Sequence, residues 1–188
     1  GITGEDLAGV RSATDFVAWY NGHPEHKGDA VDLTHDRIVV IGNGNVALDA
    51  ARILTAEPEE LEGTTISPAA LAALRESKVE EVVIVARRGP EHAAFPLPEA
   101  LGLADERTVI VHPDPDVAET IVAGSDSELI GHKLQLLESL ETQSDAPRRI
   151  RLRFLTTPES IEATDDGLVL QGKHTVTGEA SGLPVGMV

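Results

Sequence analysis

Blocks of apolar residues along the chain follow first a helical and then an extended period. The first block predicts a helix that begins after Ser12, a favourable N-cap, and ends at Asn21-Gly22. Its apolar residues at helical spacing are Phe16, Val17, Trp19 and Tyr20. A polar linker from 29 to 36 follows this helix, so the regular alternation of elements is expected to start after it.

Continuous runs of β-branched residues predict strands that are buried on both faces. These runs occupy 38–41, 81–86 and 108–113. Helical patterns alternate with them: one over 46–54, one that starts at the Ser67 cap with Pro68 in its first turn, and an amphipathic one over 126–141. Strands that alternate with helices predict a parallel sheet.

The period changes near the end of the chain, where "RRIRLRFL" alternates charged and apolar residues. Two short strand-like segments, "ESIEAT" and "GLVLQG", then flank the turn signal Asp165-Asp166-Gly167. This pattern predicts an antiparallel β-meander at about 148–172. The expected fold is therefore α/β: a Rossmann-like parallel sheet with helices on one side and a small antiparallel meander.

Composition excludes several classes of function. The chain of 188 residues has no cysteine, which rules out disulfides, thiolate metal sites and thiol nucleophiles. No apolar run approaches the ~20 residues of a membrane helix and no signal peptide opens the chain, so a cytoplasmic location is expected. A net charge of −17 argues against nucleic acid as a partner. An anionic ligand therefore needs a local group of hydrogen-bond donors or positive charges that outweighs the repulsion from this net charge.

A glycine turn over 42–47 provides such a group, because it joins a buried strand to a helix. Gly42 permits a tight turn, Gly44 lets a diphosphate approach the backbone, and Ala47 allows the helix to pack closely on the strand. The helix N-terminus adds free N–H groups and partial positive charge. The predicted dinucleotide-binding residues of the turn are Gly42, Asn43, Gly44, Asn45, Val46 and Ala47. The alternative is a glycine turn that binds nothing.

The residue that contacts the adenosine ribose decides which dinucleotide is expected. An acid about 20 positions after the turn is typical of NAD sites, and Glu62 has that spacing but follows no strand. The second strand neighbours the first, and the residues after it are Arg87 and Arg88. Guanidinium groups bind phosphate well, so this pair predicts NADP rather than NAD. The alternative is a solvated arginine pair that balances nearby acids.

Three stretches carry a resemblance to a known family: "VVIGNGNVALDAARIL", "VVIVARRGPEHAAFPLPEALGL" and "RLRFLTTPESI". They resemble the NADP-binding part of adrenodoxin-reductase-type ferredoxin–NADP reductases. The opening stretch "GITGEDLAGVRSATDFVAWYNGHP" is similar to the segment that leads into that part. The long insert between "GNGNVA" and "ARRGP" is the most specific element, because a generic Rossmann protein lacks it.

The resemblance implies an FAD flavoprotein oxidoreductase that transfers electrons between NADPH and ferredoxin or a similar iron–sulfur carrier. It matches Gly42, Gly44, Asn45 and Val46 to the pyrophosphate turn, and Arg87 and Arg88 to the 2′-phosphate. It also matches Glu99 to an acid near the nucleotide, although the two prolines of "FPLPEA" depart from the family pattern there.

The resemblance also sets the expected domain organisation: a lead-in helix and linker over 1–36, and an NADP-binding domain over 37–188. No second glycine fingerprint follows a strand, and both ends lack terminal signals. The chain is therefore expected to lack the FAD domain, to be inactive alone and to hold no catalytic residue. Two alternatives remain: a stand-alone regulatory NADP domain, and the NADP domain of another two-dinucleotide flavoprotein such as a glutamate synthase small subunit.

Other clusters give weaker signals, and no metal site is predicted. His23 and His26 have near-helical spacing, but Pro24 breaks the helix. The segment "HPDPDVAE" has alternating acids without the glycine and terminal glutamate of a calcium loop, so an exposed loop after a strand is expected. A Ser/His/Asp triad has no nucleophile elbow to support it. The arginines of "RRIRLR" predict either a solvated face or a surface that docks an acidic electron carrier.

Overall fold

Parallel strands form the central sheet of the computed structural model, which describes residues 1–26, 28–165 and 167–188. The strands are β1 (Arg37–Ile41), β2 (Glu81–Val85), β3 (Val109–Val111) and β4 (Arg149–Arg153). They lie in the order β1-β2-β4-β3, and every neighbouring pair is parallel. The three predicted buried strands are therefore confirmed, and β2 lies beside β1 as the prediction for the ribose contact required.

Helices connect the strands. They are α1 (Ala13–Tyr20), α2 (Asn45–Thr55), α3 (Pro58–Leu61), α4 (Pro68–Arg75), α5 (Leu97–Glu106), α6 (Pro115–Ala123) and α7 (Glu128–Ser139). The predicted caps are confirmed, because the Ser12 hydroxyl accepts from the Thr14 N–H and the Ser67 hydroxyl accepts from the Ala70 N–H. None of the helices in the described ranges has the length and apolar character needed to cross a lipid bilayer.

A second sheet packs on the face of the parallel sheet opposite the helices. It is antiparallel and consists of β5 (Thr156–Thr164), β6 (Gly167–His174) and β7 (Ala180–Val185). Successive strand residues point to opposite faces, so the two faces have separate cores. Ile38, Val82 and Ile84 pack among the helices. Val39 and Val83 pack against the antiparallel sheet, which confirms the predicted fold class.

The position of Arg149–Arg153 corrects one prediction. The alternating pattern placed this segment in a meander over about 148–172, whereas it is β4 of the parallel sheet and the antiparallel sheet runs from Thr156 to Val185. Two of its charged positions, Arg149 and Arg151, donate to Glu81 of the neighbouring strand instead of facing open solvent. The predicted turn at 165–167 includes Asp166, which lies outside the described residues.

Two helices that the sequence analysis missed, α5 and α6, have prolines at their N-termini. Pro96 is the N-cap of α5 and Pro98 lies in its first turn. Backbone N–H groups in the first turn of a helix have no acceptor within the helix, so a proline there breaks no hydrogen bond. The segment "HPDPDVAE" is a loop only as far as Asp114, which caps α6 by accepting from the N–H groups of Asp116 and Val117. The prediction of an exposed loop is therefore wrong from Pro115 onward.

The N-terminal segment is part of the same packed unit. Phe16 and Trp19 of α1 are each only 4% exposed and lie in the core shared with α2 and α4. The Ser67 N–H donates to the Tyr20 carbonyl at 2.7 Å, which ties the end of α1 to the start of α4. The lead-in helix α1 therefore packs against α4, which belongs to the long connection between β1 and β2.

Candidate dinucleotide site

The glycine turn follows the end of β1 directly. Gly42 has a φ of +111°, a conformation that side chains rarely adopt, and its N–H donates to the Val85 carbonyl at 2.8 Å. Gly44 is the N-cap of α2. A Cβ built on Gly44 meets no atom within 4 Å, so the space in front of the turn is open to an approaching group.

The start of α2 presents free hydrogen-bond donors. The Gly44 carbonyl accepts from the N–H groups of Ala47 and Leu48. The N–H groups of Asn45 and Val46 donate to no acceptor among the described residues. Val46 is 46% exposed, whereas Ala47 is buried against the sheet as the packing argument predicted. The turn can therefore offer backbone donors to an anion.

Arg87 and Arg88 follow β2 after one intervening residue, Ala86, and share a cavity of about 360 Å³ with the glycine turn. Gly42 and Asn43 line this cavity on the β1 side. Both guanidinium groups are exposed, and neither lies within 4 Å of a carboxylate of the described residues. Among the described residues that line the cavity, His92 is the one other ionisable side chain. The cavity is thus locally cationic in a strongly acidic chain.

Residues that flank strands β5 and β6 of the antiparallel sheet hold the backbone of this arginine pair. The Thr175 hydroxyl donates to the Arg87 carbonyl at 2.6 Å, and the Leu155 N–H donates to the Arg88 carbonyl at 3.3 Å. Leu155 has a φ of +51°, which is strained for a residue with a side chain. The strained residue therefore lies in direct contact with the pair that the sequence singled out.

The structure brings together some of the predicted site residues and not others. Gly42, Asn43, Arg87 and Arg88 line one cavity. The remaining turn residues lie on α2 or at its cap, outside that lining. Glu99 lies in the first turn of α5, also outside the lining, and its Oε2 atom is buried without a hydrogen-bond partner in the described chain.

Three further side chains around the cavity were missed by the sequence analysis. His92 and Thr157 line it, and Thr175 anchors the Arg87 carbonyl while also lying 2.9 Å from the Thr157 hydroxyl. No sequence signal could have found the threonines, because they reach the site only through the packing of the second sheet. His92 follows the arginines by four positions, within a short 3₁₀ turn.

One cluster has the composition of a metal site, but its hydrogen bonds argue against that role. Single ligand atoms of Asp114, Asp116 and His174 lie within 4.8 Å of one another. The Thr177 N–H donates to Nδ1 of His174 at 3.1 Å, so neutral His174 carries its proton on Nε2. That nitrogen lies 3.1 Å from Asp114 Oδ2 but makes no hydrogen bond with the described residues. Because it carries the proton in this tautomer, it has no free lone pair to bind a metal.

The arginines of β4 are engaged within the sheet. Glu81 is 3% exposed and accepts from Arg37, Arg149 and Arg151 at 2.7 to 3.0 Å. Burial alone would raise the pKa of Glu81, but hydrogen bonds from Arg37, Arg151 and Arg149 outweigh burial and lower it. The solvated and docking interpretations both expected Arg149, Arg151 and Arg153 to be exposed, and this expectation is wrong because all three are only partly exposed. Arg149 and Arg151 donate to the buried Glu81 carboxylate, and Arg153 donates to the Thr156 hydroxyl.

Taken together, the parallel sheet, the glycine turn and the helix after it define a Rossmann-type fold of the dinucleotide-binding class. No protein-family model matches the chain. Individual relatives do. A probable ferredoxin/ferredoxin–NADP reductase of Mycobacterium tuberculosis is 43% identical over 194 residues, which cover all of this chain and 34% of the relative.

Two further relatives extend this likeness. The mitochondrial NADPH:adrenodoxin oxidoreductase of Mus musculus is 37% identical over 221 residues, covering all of this chain and 44% of that protein. The structure of Mycobacterium tuberculosis FprA in complex with NADPH superposes with a TM-score of 0.86 at 39% identity, covering all of this chain and 45% of FprA. FprA is named an NADPH-ferredoxin reductase.

The chain is therefore a homologue of the adrenodoxin-reductase-type ferredoxin–NADP reductases and corresponds to one segment of them. It spans about a third to a half of the length of the relatives that it matches. The resemblance seen in the sequence is thereby confirmed.

Proposed function

We propose that this chain binds NADP(H) as the nicotinamide-nucleotide domain of an FAD-dependent ferredoxin–NADP reductase. One observation carries the proposal: Arg87 and Arg88 lie just beyond the end of β2 and share a cavity with Gly42 and Asn43 of the turn. A diphosphate at the turn and a phosphate on the adenosine 2′ position are the two anionic parts of NADP(H) that this arrangement matches.

The described residues fit such a ligand. The N–H groups at the start of α2 and the open space at Gly44 would hold the diphosphate, with Asn45 and Val46 beside it. Arg87 and Arg88 would hold the 2′-phosphate. Glu99, whose Oε2 has no partner in the described chain, would face the nucleotide from α5. When bound, NADPH supplies a hydride to the flavin of the complete enzyme.

The same proposal assigns the rest of the protein. Residues 1–36 would form the lead-in segment and 37–188 the NADP(H)-binding domain, while FAD would be held outside this chain. Support comes from the relatives, which are two to three times longer than this chain. Ferredoxin, or a similar iron–sulfur carrier, would be the partner of the complete enzyme. A cytoplasmic location remains a prediction from the composition.

Calorimetric titration of the chain with NADP⁺ and NAD⁺ tests the proposal. We expect binding of NADP⁺ to be clearly tighter than that of NAD⁺. Charge-assisted hydrogen bonds contribute about 1.5–3 kcal/mol each, so the double variant R87A/R88A is expected to weaken NADP⁺ binding by about a hundredfold or more. Binding of NAD⁺ is expected to change little, because NAD⁺ lacks the 2′-phosphate.

A matched control comes from Arg75, which forms an exposed ion pair with Glu62 on the connection between α3 and α4. The variant R75A removes a guanidinium of similar exposure and is expected to leave both affinities unchanged. Equal affinity for the two coenzymes, before and after R87A/R88A, would contradict the proposal. The isolated chain is also expected to be colourless and to lack diaphorase activity.

A further inference from the structure

A second cationic cavity lies on the face of the parallel sheet that carries the antiparallel sheet. It has a volume of about 360 Å³ and lies between β4 and the β7 residue Leu183. Its ionisable and amide lining residues are Arg37, Glu81, His112, Gln143, Arg151 and Arg153, so one carboxylate lies among them. It shares no lining residue with the cavity beside Arg87 and Arg88. The two cavities are therefore separate candidate sites.

The strand register explains why cationic groups gather there. Val85 of β2 pairs with Arg153, so the Arg153 side chain lies on the same face as Val85. On the other side of β4, Val111 pairs with Leu152, and the His112 N–H donates to the Leu152 carbonyl at 2.8 Å. His112 therefore lies across from Arg153, at the distance of a cross-strand pair.

The charges in this cavity do not balance. Glu81 already accepts from Arg37, Arg149 and Arg151. Arg151 donates to it through Nε and Nη2, which leaves Nη1 without an acceptor among the described residues. Arg153 donates through Nε to the Thr156 hydroxyl at 3.2 Å, and no carboxylate of the described residues lies within 4 Å of its guanidinium. Guanidinium donors thus remain available.

His112 adds a polar atom that lacks a partner. Its Nδ1 atom is buried and makes no hydrogen bond with the described residues. Burial lowers the pKa of His112, and the nearby charges of Arg153 and Arg151 lower it further, although Asp114 and Glu81 oppose them. The Asp114 carboxylate offsets part of this positive charge, but it accepts the cap hydrogen bonds of α6, lies 3.1 Å from His174 and is not among the residues that line the cavity.

We propose that this cavity binds a small tetrahedral oxyanion of the phosphate or sulfate class, held by Arg153 and Arg151 together with His112 and Gln143. Guanidinium groups match the oxygen spacing of such anions. The Gln143 amide can donate a further hydrogen bond, and a protonated His112 can donate through Nδ1. The site does not depend on the proposed binding of NADP(H).

Nuclear magnetic resonance of the histidine side chains tests this site directly. The chain is titrated with inorganic phosphate at constant ionic strength, with sodium chloride as the reference salt. We expect a saturable shift of the His112 imidazole resonances and a rise of about one unit in the pKa of His112 when phosphate is bound. If the His112 resonances follow the chloride reference throughout, the wild-type chain alone overturns the proposal.

Variants separate this cavity from the dinucleotide site. R153Q is expected to abolish the His112 shift, R153K to retain it in weakened form, and R75Q to leave it unchanged. Phosphate that binds near Arg87 and Arg88 is reported by His92, which lines that cavity. R87A/R88A is therefore expected to abolish a His92 response and to keep the His112 response. Loss of the His112 response in R87A/R88A, or its persistence in folded R153Q, would contradict the proposal.

Discussion

The hydroxyl of Thr175 lies 2.6 Å from the carbonyl oxygen of Arg87 and donates a hydrogen bond to it, although 88 positions separate the two residues. Two backbone contacts reinforce this link, because the N–H groups of Thr156 and Leu155 donate to the carbonyls of Ala86 and Arg88. The antiparallel sheet thus fixes the backbone from which both guanidinium groups extend. It is a positioning element for the proposed selectivity between coenzymes.

Replacing Thr175 by valine keeps the shape of the side chain and removes its hydrogen bonds to the Arg87 carbonyl and to the Thr157 hydroxyl. A net hydrogen bond contributes about 1 kcal/mol, so we expect T175V to weaken NADP⁺ binding about fivefold, because the arginine pair is held less firmly. Binding of NAD⁺ is expected to stay unchanged. Calorimetric titration of the variant with both coenzymes measures the two effects separately.

Thr64 provides the control for T175V. Its hydroxyl donates to the Leu61 carbonyl at 2.7 Å, so T64V removes the same kind of bond far from the arginine pair in the sequence. We expect T64V to leave the affinity for NADP⁺ unaltered. Equal losses for NADP⁺ and NAD⁺ in T175V would assign Thr175 a general structural role instead of a positioning one.

Substitution of Gly44 tests whether the diphosphate lies against the glycine turn. Serine is a favourable N-cap, so G44S is expected to preserve the stability of α2 while its side chain fills the open space in front of the turn. We expect affinity for NADP⁺ to fall by at least about tenfold, which corresponds to about 1.4 kcal/mol. Thermal unfolding and titration calorimetry, performed together, measure both properties.

The control is G28S, because a Cβ on Gly28 also meets no atom within 4 Å. This variant is expected to change neither the melting temperature nor coenzyme binding. Should G44S bind NADP⁺ like the wild type, the diphosphate would not lie against this turn.

The strands and the glycine turn could be predicted because their signals are local. The run 38–41 and the glycines after it determine a strand and a turn regardless of what packs around them. The arginine pair could be placed beside the turn because parallel neighbours end at the same edge of a sheet. That argument needed only the identity of the second strand.

The contacts that hold the site could not be predicted, because they join distant parts of the chain. Thr175 reaches Arg87 only once β6 has packed on the parallel sheet. Glu81 gave no sequence signal of burial, since its three arginine partners come from two other strands. For the same reason, the charged side chains that alternate with apolar ones in β4 were predicted to face solvent. A two-residue repeat of charged positions does not show whether those side chains contact water or a buried carboxylate.

Glu81 is expected to be a centre of stability. Breaking a buried ion pair costs about 3–5 kcal/mol, because the remaining charge has no counter-charge. The variant E81Q removes the carboxylate that pairs with Arg37, Arg149 and Arg151, which are all partly buried. We therefore expect E81Q to lower the free energy of unfolding by about 3 kcal/mol, measured by urea denaturation at neutral pH.

Glu62 provides the comparison for E81Q, because its ion pair with Arg75 is half exposed on both sides. E62Q is expected to change stability by less than about 1 kcal/mol. A loss in E81Q no larger than that in E62Q would contradict the buried cluster as a source of stability.

His112 predicts a pH dependence with a definite sign. Its pKa in the folded chain lies below 6.5, chiefly because it is buried and then because Arg153 and Arg151 lie near it. The unfolded chain therefore binds more protons than the folded chain. The contribution of His112 to stability is fully present above pH 6.5 and is lost as the pH falls through the pKa of the folded state.

The variant H112Q removes the imidazole and with it this dependence on pH. Urea denaturation in chloride buffers, without phosphate, is expected to show the stability of the wild type falling more than that of H112Q as the pH decreases from about 7.5 to about 5. The variant H132Q, at an exposed position of α7, serves as the control and is expected to follow the wild type. Parallel pH profiles for the wild type and H112Q would mean that the His112 imidazole has the same proton affinity in the folded and unfolded chains.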